Sequence, residues 1–207
     1  MIRRKLSLAL MLASTLFAFA NTHAELVPRL RGHAVFDTDQ NLTWLADTNF
    51  ARTSGADSDG KMRWDAAVAW VENLSYGGVD SWRLPRLTEG CGGLGCVTGE
   101  IGRLYWQTFW NGNDLTPTET GKFTNLKTDA FYWYGSEVLG SPQLIRIFFL
   151  SSGFQGEDFR DNENYAWAVT DGDVYASAVP LPSSFLLMAT SLLVLRISVR
   201  RRARASS

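Results

Sequence analysis

Apolar residues along the chain fall into one run near each end and a patterned middle. Between the runs, His33–Phe36 and residues 41–46 (NLTWLA) mix β-branched and aromatic residues, which predicts two short strands. Residues 52–61 are polar and glycine-containing and predict a loop. Over Trp64–Leu74 the apolar positions Ala67, Val68, Val71 and Leu74 recur at three- and four-residue spacing, as on one face of a helix. Arg63 is a poor N-cap for it, since Ser, Thr or Asp would supply an oxygen for the free N–H groups. Tyr76-Gly77-Gly78 ends that segment. A second helix is predicted over Thr98–Phe109, with Thr98 as cap and Ile101, Leu104, Tyr105 and Thr108 on one face. Strands are predicted at Phe131–Gly135, Leu144–Leu150, Tyr165–Val169 and Val174–Ala178. Helices early and strands mostly late point to a single α+β domain with two helices and a small antiparallel sheet.

The end runs read as targeting segments. Residues 1–24 combine a basic start, an apolar run from Leu6 to Ala20 and small residues Thr22 and Ala24 around His23. That order is the layout of a secretory signal peptide, with cleavage expected after Ala24. The alternative is an uncleaved anchor, but a run of about 15 residues is short against the ~20 of a membrane span. At the other end, Val179-Pro180-Leu181-Pro182 precedes an apolar stretch, a candidate membrane helix over about 183–199, and a cluster of arginines. Arg196 interrupts the stretch but can snorkel to the interface. The arginines would stay cytoplasmic by the positive-inside rule. The order of motif, helix and arginines over residues 179–207 resembles the PEP-CTERM sorting signal in its VPLPA-type form. Leu181 and Ser183 are mild departures, from Glu in the commonest form and Ala in that variant. The resemblance implies export in a Gram-negative bacterium, a transient anchor in the inner membrane, cutting by an exosortase, and delivery to the cell surface or the exopolysaccharide matrix.

Setting these ends aside changes the charge balance. The whole chain has 207 residues and a formal net charge of -1. Without residues 1–24 and those after Val179, twelve basic residues face all 21 acids, so residues 25–179 carry about −9. That argues against a nucleic-acid partner, which would need Lys and Arg to neutralise phosphates, and less firmly against strongly sulfated polyanions. A hydrophobic share of 45% with 20% charged residues is that of a globular chain.

Several pieces of the middle coincide with one family. NLTWLADTNF, KMRWDAAVAWVENLSYGGVDSWRLP, FYWYGSE and YAWAVTDGDV resemble the Lcl C-terminal domain family, a domain of unknown function, over about residues 33–175. Trp82-Arg83-Leu84-Pro85 is the most specific piece. It is also similar to the Arg-Leu-Pro-Thr element of formylglycine-generating-type domains, which implies a C-type-lectin-like fold. The departures are Arg63 where a capping Thr is frequent, Gly135 where Ser is common, and no closing Val-Arg strand before Val179.

The chemistry-bearing residues are sparse. Cys91 and Cys96 in CGGLGC suit a local disulfide, because three intervening glycines allow the bend and two Cys without a nearby His make an incomplete zinc set. With His23 leaving in the signal, His33 remains as the one candidate base, and no Gly-x-Ser-x-Gly elbow accompanies it. No phosphate-binding or dinucleotide fingerprint occurs. No particular carboxylate pair stands out among the acids as a glycosidase site. Asp57 and Asp59, in Asp57-Ser58-Asp59-Gly60, resemble the first half of a calcium loop, but Lys61, Met62 and Arg63 follow where further oxygen ligands are needed. A solvated turn explains the same residues. Asp158, Asp161, Glu163 and Asn164 form a second acidic loop. No metal site or cofactor is therefore assigned, with calcium kept as a candidate. Arg83, if half-buried, needs a carboxylate such as Glu89. Most of the eight tryptophans fall within the apolar pattern and are expected in the core.

Together these features predict a non-enzymatic exported module that binds a glycan or another surface component through exposed aromatics and acids in the loops at 52–61 and 153–164. The alternatives are a structural adhesion or matrix protein with protein partners, and an enzyme acting on matrix polysaccharide.

Overall fold

The computed structural model describes residues 25–88, 91–110, 112 and 122–175. The signal-like segment, the Val179–Pro182 motif and the candidate helix over 183–199 lie outside the described residues. Among the described residues no helix is long and apolar enough to cross a membrane.

The domain is α+β and is built on two sheets. The first has the order β1-β2-β3-β9, from Leu26–Arg29, Ala34–Asp37, Leu42–Leu45 and Val169–Asp171, all pairs antiparallel. The second has the order β4-β8-β5-β6-β7, from Lys61–Met62, Asn164–Tyr165, Phe131–Val138, Ser141–Phe149 and Phe154–Phe159. The single small antiparallel sheet expected from the sequence is thus two sheets. The second is mixed, since β5 and β8 run parallel through Tyr132 and Tyr165. Residues 166–168 leave the ladder between β8 and β9, so the predicted strand Tyr165–Val169 survives only at its ends. Val174 and Tyr175 are not in a strand, and residues 176–178 lie outside the described residues.

Alternation along β5 explains how the second sheet divides the core. Tyr132 and Tyr134 point to one face and pack with Phe148, Leu150, Trp44, Trp167, Ile101 and Leu104. Trp133 points to the other, among Ile145, Ile147, Ala67, Val71, Trp82 and Leu84. Two buried indole N–H groups bond carbonyls of neighbouring segments: Trp133 donates to Met62 at 2.7 Å and Trp167 to Leu45 at 2.9 Å. Left unpaired, such buried donors would carry a desolvation cost.

Helix α1 is a single turn, Phe50–Thr53, at the start of the segment read as loop, and α2 spans Trp64–Glu72. Ala67 and Val71 are its buried face, with Val68 and Leu74 packed partly against the core. Arg63 indeed gives no side-chain cap. The 160 turn serves instead: the Arg160 carbonyl accepts the Trp64 N–H at 3.0 Å, and the Arg160 guanidinium bonds Asp65. The second predicted helix is shorter than its pattern. Helix α3 covers Glu100–Leu104 and passes into a π-type turn over Tyr105–Phe109. Gly99, not Thr98, holds the N-cap position.

Candidate functional site

The Trp82-Arg83-Leu84-Pro85 element joins the two halves of the chain. Trp82, Leu84 and Pro85 are buried. Arg83 pairs with Val169 of β9 through two backbone hydrogen bonds, at 2.8 and 2.9 Å, extending the first sheet by one residue. Its guanidinium binds both carboxylate oxygens of Glu100, each at 2.8 Å, and also pairs with Asp171. Glu100 in turn accepts the Arg86 N–H at 2.7 Å. Burial disfavours the Arg83 charge, but these two carboxylates outweigh it and raise its pKa. The Arg83 side chain holds the Arg-Leu-Pro turn, the start of α3 and the end of β9 together. The expected ion pair therefore exists with other partners: Glu89 lies outside the described residues, and the acids that close on Arg83 are distant in sequence.

The two acidic loops are turns held by their own carboxylates. Asp57 Oδ1 accepts the N–H groups of Asp59 and Gly60, at 2.9 and 2.6 Å, and Asp59 Oδ1 accepts that of Lys61 at 3.0 Å. Burial opposes the Asp57 charge, but those N–H groups prevail and hold its carboxyl below the usual range. Asp158 accepts from the Phe159 N–H, Asn162 Nδ2 and Asn164 Nδ2, at 2.9, 2.6 and 2.8 Å. Among the described residues no group of three or more His, Cys, Asp or Glu is placed to hold a metal ion. Residues 154–159, inside the segment read as a loop, are strand β7. The exposed His33 ring meets Tyr76 edge-on at 6.1 Å.

Cys91 and Cys96 form a disulfide, and the short ring it closes seals the start of β7. Gly93 and Gln155 exchange backbone hydrogen bonds at 2.7 and 2.9 Å. Below them, the Gln155 side chain donates to the Cys96 carbonyl at 2.7 Å and accepts from the Tyr134 hydroxyl at 2.6 Å, and that hydroxyl accepts the Gly102 N–H at 3.1 Å. This buried chain ties the disulfide ring, β5, β7 and α3 to one another. Burial pushes the Tyr134 phenol well above its ordinary pKa.

An open groove of about 480 Å³ lies at one end of the second sheet. It is bounded by Lys61 of β4, the 126–131 segment entering β5, and Glu163, Asn164 and Tyr165 at β8. Its size is that of small-ligand sites. The sequence draws attention to the loops that contribute Lys61, Glu163 and Asn164, whereas it marks Phe131 and Tyr165 only as strand starts and gives residues 126–130 no role. The one signal there is Phe131, an aromatic residue at the mouth of a strand right after the polar Lys127-Thr128-Asp129 turn.

The groove wall is firmly held. Thr124 bonds back to Ala46 and Thr48 through the backbone, at 2.8 and 3.1 Å. The Tyr132 hydroxyl accepts the Lys127 N–H at 2.9 Å, and the Ala130 carbonyl accepts the Leu150 N–H at 3.1 Å. Burial raises the Tyr132 pKa to about 12, so this phenol stays protonated. Phe131 stacks on Phe149 with centroids 4.5 Å apart and remains 38% exposed. Tyr165 lies against Tyr132 at 5.6 Å, with the Lys61 ammonium 5.7 Å from its ring. Trp44, Trp82, Trp133 and Trp167 are buried and the other four tryptophans partly so. The aromatic rings available at the groove are therefore Phe131 and Tyr165, with Asp129, Glu163 and Asn164 as polar neighbours. Such a set can stack on an apolar ligand face and accept hydrogen bonds from hydroxyls.

No family model, no curated protein and no solved structure matches this chain.

Proposed function

We propose that this is an exported, non-enzymatic module that binds a glycan through the groove between Lys61, Phe131 and Tyr165, at the surface or in the exopolysaccharide matrix of a Gram-negative bacterium. The observation that carries the binding reading is the pairing of partly exposed aromatic rings with carboxylate and amide groups around one groove. The place of action rests on the resemblance of residues 179–207 to an exosortase sorting signal. The ligand class is further supported by the resemblance of residues 33–175 to a domain with a lectin-like fold, which is an analogy of fold and not of site.

The test is titration of the purified full chain with a panel of polysaccharides, with calcium or with chelator. Saturable binding that Phe131→Ala weakens about fivefold is expected, the size of one aromatic contact. An unchanged melting temperature in that variant would exclude a folding defect. Binding unaffected by Phe131→Ala and Tyr165→Ala, or no saturable binding, would overturn the reading. Loss with chelator would assign calcium a role at the acidic turns. A dominant protein partner in pull-downs would favour the structural adhesion reading, and sugar release by the purified chain the enzymatic one.

A further inference from the structure

The groove is lined by four charged residues that form no ion pair among the described residues. Six arginines, Arg29, Arg83, Arg86, Arg103, Arg146 and Arg160, are in ion pairs with acids. Lys61, Lys127, Asp129 and Glu163 line one groove and yet form no ion pair among the described residues. Only four lysines occur in the whole chain, and two of them stand here. The charges are carried on separate supports: Lys61 on β4, Lys127 and Asp129 on the braced segment before β5, and Glu163 just ahead of β8. Two lysines and two acids thus line a space of ligand size without pairing with one another. A ligand with one sign of charge would satisfy one pair and be repelled by the other.

We infer that the preferred ligand is a saccharide unit carrying both an ammonium and a carboxylate group. Its carboxylate would face Lys61 and Lys127, its ammonium Asp129 and Glu163, and its ring the aromatic pair Phe131 and Tyr165. This inference rests on the glycan-binding reading above and narrows it to a charge class.

The test compares four monosaccharides on the full chain by saturation-transfer NMR, which reads weak binding. Muramic acid carries both charges, glucosamine the ammonium, glucuronate the carboxylate, and glucose neither. An exposed ion pair contributes a factor of about two to five, so muramic acid should bind by that factor more tightly than either singly charged sugar. The preference should shrink as salt is added. Lys127→Gln should bring muramic acid down to the level of glucosamine, and Asp129→Asn to the level of glucuronate. Glucosamine, glucuronate or glucose binding as tightly as muramic acid would overturn the charge inference and leave the groove reading standing. So would saturable, Phe131-dependent binding of polysaccharide with no signal from muramic acid. Failure of every monosaccharide and every polysaccharide would remove both.

Discussion

The Arg83 guanidinium holds Glu100 through two parallel hydrogen bonds of 2.8 Å, linking the Arg-Leu-Pro turn to the first residue of helix α3. The two residues are 17 apart in sequence, and the pair gains a third member in Asp171 from the far end of the domain. A planar fork suits this arrangement, and an ammonium does not. Both side chains of the pair are mostly buried, at 16% and 18% exposure, so removing one leaves the other charge poorly solvated.

Arg83→Lys is therefore expected to cost about 2 kcal/mol of stability, and Arg83→Met about 3 kcal/mol, less than for a fully buried pair. Urea denaturation of the variants measures this. Loss of less than about 0.5 kcal/mol, the range of ordinary surface changes, would show that the cluster is not a structural tie.

The disulfide ring should matter in two ways. Removing a link that closes so short a loop costs about 2 kcal/mol in the chain-entropy account. It also frees Gly93 from Gln155, which uncovers the start of edge strand β7. Uncovered edges pair with other chains. The Cys91→Ser/Cys96→Ser variant should melt lower and show more association by light scattering. Equal melting and scattering would contradict this role.

Gly102 sits where no larger residue fits. A Cβ built there would lie 2.5 Å from the Cys96 carbonyl oxygen and 2.8 Å from Gln155 Nε2. Those atoms are bonded to each other, so neither can retreat without breaking the buried chain. Gly102→Ala should cost about 2 kcal/mol, in the range of overpacked cores. The gain expected from Ala in a helix is outweighed. A neutral or raised melting temperature would show that the chain yields easily.

Alkali should destabilise the fold through Tyr132. Its pKa rises from the free value of 10.0 to about 12 in the folded state, mainly because burial penalises the phenolate. The unfolded chain therefore loses this proton first. Stability from this group is complete below pH 10 and is lost as pH rises toward 12. Tyr134 acts in the same direction. Tyr132→Phe should flatten part of the fall in melting temperature over that range, while loosening the Lys127 turn. An identical pH profile for wild type and variant would contradict the assignment.

Acid should act at the ends of the first sheet. The Arg83 hydrogen bond lowers the Asp171 pKa, and that of Arg29 lowers Asp173, both below the model-peptide value of 3.8. Stability from these groups is present above that value and is lost as pH falls through the lower folded values. Asp173→Asn should reduce the slope of the melting temperature below pH 4, and an unchanged slope would exclude the Arg29 pair as its source.

The α+β class, helix α2, strands β2, β3, β5 and β6 and the disulfide are legible in the sequence, because each is a local pattern. Ala67 and Val71 recur at helical spacing, and the two cysteines are five residues apart with glycines between them. Other elements escape the pattern for identifiable reasons. Strand β7 is an edge strand with exposed Phe154 and Phe159, a buried Gln155 and a glycine, so its alternation looks like that of a loop. Helix α3 gives way to a π-type turn in which Tyr105 packs on Phe148 and Phe109 on Phe123, contacts far apart in sequence.

What the sequence determines by itself is therefore the short-range order: which segments are apolar on one face, where the chain turns, and which cysteines meet. Tertiary structure alone decides that Arg83 closes on Glu100 and Asp171, and that Lys61, Phe131 and Tyr165 share a groove. The reason is physical. Periodicity records which side of an element is buried, whereas a site is a meeting of residues up to about a hundred positions apart, set by which strands pair and where their loops fold rather than by any spacing along the chain.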